Sequence, residues 1–441
     1  MSVCSRTPAS GPHAGQEDGD EVQQMTDEER MLKEIAEQKV LIDTLPPGDT
    51  YEGSVYRAPH QKRLGQLEFQ YQLLVERKRV ARELANFEEK YGALSSEPCL
   101  ICLDDIHIHA GEALAQYFLC CGGFICTICV QSMKFGMDKC PLCRTQFVEK
   151  TAEEGAAQKM SLAERGVLWA QKNVGKGMIQ GIEGFEKQED TGLEWLKQAA
   201  AQNHPSSLMC LSNLYREGST SVLRKSQEKA DELLLKAANL GFASANSKLA
   251  VYYLIGFNDF EKDPVEAYFR ASVAFALDDK NQRAVNLLGG FHFDEHHVLP
   301  EPSPYLACYY LNIATNEDTD GSACYSYGKA LFKLSDHLQN YNGFPVPGFD
   351  VTPAEYFWLR KSRDIGLKEA GEFLRKLQSK DQSHCGYCVR KVQPGEKLKE
   401  CSKCRARLYC SKECQIEAWW AGHNKDCKRA KISTFDDYLN V

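Results

Sequence analysis

Fifteen of the nineteen cysteines in this 441-residue chain fall in two short clusters. The first reads Cys99-x2-Cys102, Cys120-Cys121, Cys126-x2-Cys129 and Cys140-Pro141-Leu142-Cys143; the second reads Cys385-x2-Cys388, Cys401-x2-Cys404, Cys410-x3-Cys414 and His423-x3-Cys427. Two cysteines separated by two residues can wrap one soft ion from a tight turn, so repeated pairs favour metal thiolates over disulfide bridges. Zinc takes four such ligands tetrahedrally. Eight donors per cluster suffice for two closed sites, or about four Zn2+ per chain. A closed site has no open coordination position, so the expected role of the metal is structural and not hydrolytic.

The order of pairs in the first cluster, and its ending Cys140-Pro141-Leu142-Cys143-Arg144, resemble the RING finger. The resemblance implies interleaved sites, with Cys99, Cys102, Cys126 and Cys129 on one ion and Cys120, Cys121, Cys140 and Cys143 on the other. It departs from the usual pattern in having cysteine where the family has a histidine. Adjacent cysteines bind one ion awkwardly, which leaves His107 or His109 open as a substitute for Cys120. The family recruits a ubiquitin-charged E2 enzyme and holds its thioester in a reactive arrangement, without a protein nucleophile. Catalysis of that kind is positioning and polarisation. By the same resemblance Ile101 and Pro141 occupy apolar E2-contact positions, and Arg144 matches the linchpin that hydrogen-bonds to both E2 and ubiquitin.

The second cluster closely resembles the MYND finger: Tyr409 precedes Cys410, Gln415 follows Cys414, and Trp419 lies four residues before His423. That resemblance implies one zinc on Cys385, Cys388, Cys410 and Cys414 and another on Cys401, Cys404, His423 and Cys427. It also implies a groove for short proline-containing peptides of partner proteins, with Trp419, Trp420 and Tyr409 as candidate aromatic surfaces. Some 45 residues bury too little apolar surface to fold alone, so zinc binding supplies the folding energy of such a module. Between 385 and 430 the formal charge is +6, and seven thiolates with two Zn2+ bring it near +3. That is modestly basic, and nucleic acid is not the expected partner.

These clusters must be positioned by the rest of the chain. Residues 1–25 are acidic and lack apolar periodicity, which predicts disorder. A helical segment over 26–93 follows. Thr26 and Glu29 have the form of a capping box, with Met31, Leu32, Ile35 and Val40 as an apolar face, and Pro46-Pro47-Gly48 breaks the first helix. A second helix is predicted from His60 to about Tyr91, carrying Leu64, Leu67, Tyr71, Leu74, Val75, Leu84 and Phe87; it either packs on the zinc module that follows or forms a coiled coil.

Between 160 and 380 a repeat emerges. Leu211, Leu249 and Leu287 recur every 38 residues, and so do Tyr215, Tyr253 and Phe291. Small residues such as Ala199, Ala200, Ala237 and Ala238 let paired helices approach. The pattern resembles the Sel1-like repeats, relatives of the tetratricopeptide type, in about five copies with insertions near 292–304 and 338–353. Such solenoids usually scaffold partners. Cys210, Cys308 and Cys324 lie inside the repeats and read as small apolar residues. His292, His296 and His297 lack the order of a metalloprotease motif, and Gly175-Lys176-Gly177 lacks the rest of a phosphate-binding loop and reads as a turn.

No stretch is long and apolar enough for a membrane span or a signal peptide, and the net charge of −8 argues against a chain built mainly for nucleic acid. The expected location is therefore intracellular, in cytoplasm or nucleus. The predicted fold is mainly α: a Sel1-like solenoid flanked by a RING-like module over 97–149 and a MYND module over 384–428. The function expected is zinc-dependent protein–protein interaction. Its leading form is a RING-type ubiquitin ligase; the alternatives are a non-catalytic adaptor and a chromatin-associated regulator.

Overall fold

A computed structural model describes residues 25–440 apart from 47–50, 108–109, 112–113, 134–137, 219–220, 222, 294–298, 340–347, 349, 382 and 394. The predicted disorder of 1–25, the proline-glycine break, His109, His296 and His297 lie wholly or largely outside the described residues. Helix α1 (Asp27–Thr44) opens with the predicted capping box: the Glu29 N–H donates to the Thr26 hydroxyl, and the Thr26 N–H donates to the Glu29 carboxylate at 2.8 Å. It packs on α2 (Tyr51–Tyr91) through Ile35 and Ile42 against Leu64 and Leu67. Leu32 and Val40 face solvent instead, because the buried stripe follows the seven-residue step from Ile35 to Ile42.

The start of α2 corrects the expectation of His60. The helix begins at Tyr51 and runs through Pro59, whose ring suits helical φ while removing one hydrogen bond. Forty-one residues span about 60 Å. Near its end Leu84, Phe87 and Tyr91 do meet Ala110 and Leu114 of the first cysteine module. Its middle, however, buries Phe69 and Leu73 on the repeats, while Val75 is exposed. There Arg79 donates to Glu76 at 2.7 Å and to Ser272, and the Tyr310 hydroxyl donates to Glu76. Burial alone would raise the Glu76 carboxyl; Arg79 and His292 outweigh it and hold it well below the usual carboxylate range. His292 is thus a buried partner of Glu76, stacked on Tyr310, and not part of a surface metal site.

The first cysteine module follows with two short antiparallel hairpins, β1 (Glu97–Pro98) with β2 (Asp105–Ile106) and β3 (Ala115–Tyr117) with β4 (Phe124–Cys126), then α3 (Thr127–Ser132). Twelve helices come next, in six consecutive pairs: α4 (Ala152–Glu164) and α5 (Leu168–Gln180), α6 (Glu189–Ala201) and α7 (Pro205–Glu217), α8 (Gln227–Asn239) and α9 (Ala243–Ile255), α10 (Pro264–Leu277) and α11 (Gln282–His292), α12 (Pro304–Ala314) and α13 (Ser322–Gln339), α14 (Thr352–Ile365) and α15 (Lys368–Asp381). Each packs on its chain neighbours, which is the contact pattern of a solenoid. The repeat is written in the helix ends as well: Gly181, Gly218 and Gly256 close α5, α7 and α9 in the left-handed conformation.

Small buried residues recur at Gly175, Ser212, Ala250, Gly289 and Gly328, one on each second helix from α5 to α13. They mark where the next helix crosses. A side chain at Gly175 would meet the Gly192 carbonyl at 2.8 Å, and one at Gly289 would meet Leu311 at 2.5 Å. Gly175-Lys176-Gly177 is therefore not a turn. It lies inside α5, and the glycines serve helix contact. Cys308 and Cys324 are fully buried as expected, while Cys210 is half-buried. No helix among the described residues is long and apolar enough to cross a membrane.

One residue works against the solenoid. Lys248 on α9 donates to Asn213 at 2.8 Å, and burial followed by the charges of Arg216 and Arg283 pushes its amine down to about 8. The unfolded chain keeps its proton to about pH 10.4. The charged form is therefore disfavoured in the fold below pH 8, and stability should rise between about pH 8 and 10 as the folded amine stays neutral while the unfolded one is still protonated. Lys248→Met is expected to raise stability by about 1 kcal/mol at pH 7 and to flatten that alkaline rise, as urea midpoints at both pH values would report.

Candidate metal centres

The last segment of the chain builds the second cysteine module from β5 (Lys399–Glu400) paired with β6 (Leu408–Tyr409), α16 (Lys412–Ala418), a wide turn over Trp419–His423 and α17 (Asn424–Arg429), before a closing helix α18 (Phe435–Asn440). Four groups of donor atoms converge in the two modules: Cys99, Cys102, Cys126 and Cys129; Cys120, Cys121, Cys140 and Cys143; Cys385, Cys388, Cys410 and Cys414; Cys401, Cys404, His423 and Cys427. Within each group all donor atoms lie within 4.8 Å of one another.

A zinc ion with Zn–S near 2.3 Å needs tetrahedral edges of about 3.8 Å. The sulfur–sulfur distances are 3.8 Å for Cys99–Cys129 and Cys102–Cys126, 3.9 Å for Cys121–Cys140 and 3.7 Å for Cys401–Cys427. His423 Nε2 stands 3.1 Å and 3.5 Å from the sulfurs of Cys427 and Cys404. Donor chemistry and spacing both fit zinc. Cys120 stands 3.3 Å from Cys143, inside its group, whereas His107 belongs to none of the four.

One backbone device recurs four times. In Cys99-x2-Cys102, Cys140-x2-Cys143, Cys385-x2-Cys388 and Cys401-x2-Cys404 the residue after the second cysteine donates its N–H to the first cysteine's carbonyl, at 2.9–3.1 Å. That residue is Leu103, Arg144, Val389 or Arg405, and each has φ between 51° and 65°. Four of the seven non-glycine residues with positive φ among the described residues are these. Left-handed backbone costs a side chain about 1 kcal/mol, and tight turns that aim functional groups are where such strain persists. The same turns present N–H groups to sulfur. Burial raises the Cys99 thiol, but N–H groups of Cys126, Cys102 and Ile101 outweigh it and bring it down to about 6; Cys385 is brought to about 7 in the same way by Cys410, Tyr387 and Cys388. Both sulfurs are thus biased toward the thiolate that a metal requires.

The MYND finger family matches at residues 385–427. Residues 385–427 form a MYND finger. The described helical pairs are similar to a Sel1 repeat protein from Oxalobacter formigenes, at 22% identity and a TM-score of 0.37 over 44% of this chain and 79% of that one. They are also similar to a protective antigen of uropathogenic Escherichia coli displaying an SLR fold, at 17% identity and a TM-score of 0.39 over 64% and 51%. By its own helix pairs and donor groups the chain is a mainly helical protein of packed helix pairs with small zinc-binding modules, and its cofactor is zinc. With its MYND finger it is a zinc-binding protein-interaction protein.

The MYND finger does not hang from the solenoid by a linker. Asp350, just before α14, accepts two hydrogen bonds from Arg407 at 2.6 and 2.7 Å. Asp426 in turn accepts the N–H groups of Gly348 and Asp350, and the fully buried Arg429 donates to the Gly348 carbonyl and to Asp426. Asp350 and Asp426 each place a carboxylate oxygen within 4.8 Å of a ring nitrogen of His423. Arg360 of α14 donates to the Cys404 carbonyl. Beyond the finger, α18 inserts Phe435, Tyr438 and Leu439 into the main core, where Phe435 meets Phe69 of α2 edge-on at 5.2 Å. No local pattern marks Asp350, Asp426 or Arg429 as functional, because the partners they meet across the junction are 57 or more residues away.

The structure also corrects the aromatic surface expected of the finger. Tyr409 is buried at 1% exposure and belongs to the finger's core. Trp420 is 75% exposed, and Trp419 is half-buried beneath the Lys403 amine, 4.5 Å from its ring.

The first module docks as firmly. Its Gly122 carbonyl accepts from the Trp169 indole at 3.2 Å, Tyr117 packs on the same ring, and the Ala243 N–H donates to the Ala110 carbonyl. Leu100 and Leu142, which flank Ile101 and Pro141, both approach Gly123, where an added Cβ would lie 2.6 Å from Leu142 and 3.7 Å from Leu100. The two metal turns thereby share one edge. In these turns Ile101 is 43% exposed, Arg144 is exposed and Pro141 half-buried.

Proposed function

We propose that the first cysteine module is a RING-type zinc module that docks an E2 enzyme, making the chain a ubiquitin ligase whose solenoid and MYND finger select protein substrates. In this reading each of the four donor groups holds one zinc ion, and the metal's chemistry is to lock the turns that carry the docking residues. The observation that carries it is the shared edge of the two metal turns. On these turns the apolar Ile101 stays exposed, Pro141 is half-buried and Arg144 is exposed. Burying such a patch on a partner is the ordinary reason for leaving it uncovered. Arg144, placed on a left-handed turn, presents its charge outward, where it can hydrogen-bond to two partners at once. The thiolate-rich sites also suit a reducing intracellular compartment.

The test is discharge of ubiquitin from a panel of charged E2 enzymes by the zinc-loaded full chain. Acceleration by wild type is expected to fall at least tenfold with Ile101→Ala and with Arg144→Gly, at unchanged zinc content. Glycine is the informative replacement at 144, because it suits the positive φ and removes only the guanidinium. A fully loaded chain that accelerates no E2 of the panel would leave the adaptor reading. The proline-peptide groove on the MYND finger is tested separately, by Trp420→Ala.

A further inference from the structure

Where α14 passes the MYND finger, a cleft of about 510 Å3 opens, lined from both sides. Its volume lies in the range of sites that enclose a small ligand or a few side chains. Phe357 and Ile365 contribute apolar surface from the solenoid, and Ile365 remains 37% exposed. Three lysines line it as well: Lys361 from α14, and Lys403 and Lys431 from the finger's side, all exposed. None has an ion-pair partner among the described residues. Two of them are held by rings and not by carboxylates, Lys361 over Trp358 and Lys403 over Trp419, each at 4.5 Å. The one carboxylate of the lining, Asp364, is already bound by Arg363 at 2.7 Å.

Such a site combines exposed positive charge with apolar lining. Three thiolates and a histidine on Zn2+ would leave one net negative charge beneath it, which does not neutralise the lysines. We propose that this cleft binds a segment of a partner protein in which carboxylates flank a large apolar side chain. The apolar group fills the space between Phe357 and Ile365, and the carboxylates meet Lys361, Lys403 and Lys431. Recognition is composite: neither the solenoid nor the finger has both walls, so the buried contacts around Asp350 are what keep the site assembled. The proposal stands apart from E2 docking, which uses the opposite cysteine module.

The experiment is selection from a randomised dodecapeptide library on the immobilised, zinc-loaded full chain, with Lys361→Gln/Lys431→Gln as counter-target. Neither lysine is a donor in a metal group, and equal zinc content and helicity show that the variant is folded. Peptides with Asp or Glu beside Leu, Phe or Trp should be enriched on wild type. Resynthesised, they should bind at least tenfold more weakly to the double variant and to wild type at 1 M salt, and more weakly to Ile365→Ala. Equal recovery by both targets, or enrichment confined to proline-rich peptides sensitive to Trp420→Ala, overturns the proposal. So does a concentration-dependent dimer that the double variant abolishes, since the occupant would then be a second copy of the chain.

Discussion

Removing zinc from the chain is expected to unfold residues 97–149 and 385–427 while α4 to α15 remain helical. The reason lies in what the two modules have for cores. In the first, four of the six core residues, Cys99, Cys126, Cys129 and Cys140, are donors in the metal groups. In the MYND finger three of five are, Cys385, Cys401 and Cys427. Without the ion those sulfurs become loosely packed thiols around a few apolar side chains. Structural zinc contributes about 10–16 kcal/mol of apparent binding energy per site in small fingers, and that energy is folding energy. The solenoid has a core of its own, from Ala250 to Leu334, and needs no metal. Elemental analysis should find four zinc ions per chain, one for each donor group. After chelation, limited proteolysis should open both modules with little loss of the 222 nm helical signal. Release of only two ions from a saturated chain would remove the RING-like assignment.

Asp350→Ala is expected to cost about 3–5 kcal/mol and to detach the MYND finger from the solenoid. A buried ion pair contributes little net energy while intact, yet deleting one partner strands the other charge. Here the stranded charge is Arg407, whose side chain is 14% exposed and which also donates to Thr352. Burial opposes the ionised Asp350, but Arg407 outweighs it and holds the carboxyl below its ordinary range, so the pair is charged at neutral pH. The observable is selective: zinc should pass to a chelator faster from the two finger sites than from the two of the first module, because Asp350 also stands by His423. The paired variant Asp350→Asn with Arg407→Met should recover much of the lost stability, since it removes both charges together. Unchanged release from all four sites would show that Arg360, Asp426, Arg429 and α18 hold the finger without Asp350.

Much of the metal chemistry was legible in the chain because a metal turn is a local object. Cys-x-x-Cys and the residue after it close on themselves within five positions, so spacing carries the geometry. Which turn shares an ion with which is not local, and it was readable only through resemblance to known fingers. The 38-residue spacing of Leu211, Leu249 and Leu287 likewise reports a repeating contact between neighbouring helices. Gly175-Lys176-Gly177 was misread, because a glycine needed for helix approach and one needed for a turn look alike without the helix that crosses it.

The sequence by itself determined the elements: two cysteine-rich modules with zinc chemistry, a helical repeat between them, and a capped helix before both. Each follows from short-range rules of ligand spacing, helix period and capping. Only the tertiary structure decided that these elements form one joined body. It laid α2 along the repeats, sealed that contact with Glu76 and Arg79, set the finger on Asp350, and brought Phe435 at the C-terminal end against Phe69 near the N-terminal one. Those contacts join residues tens to hundreds of positions apart. Their partners are chosen by shape and buried charge once the chain has folded, and no local spacing encodes that choice.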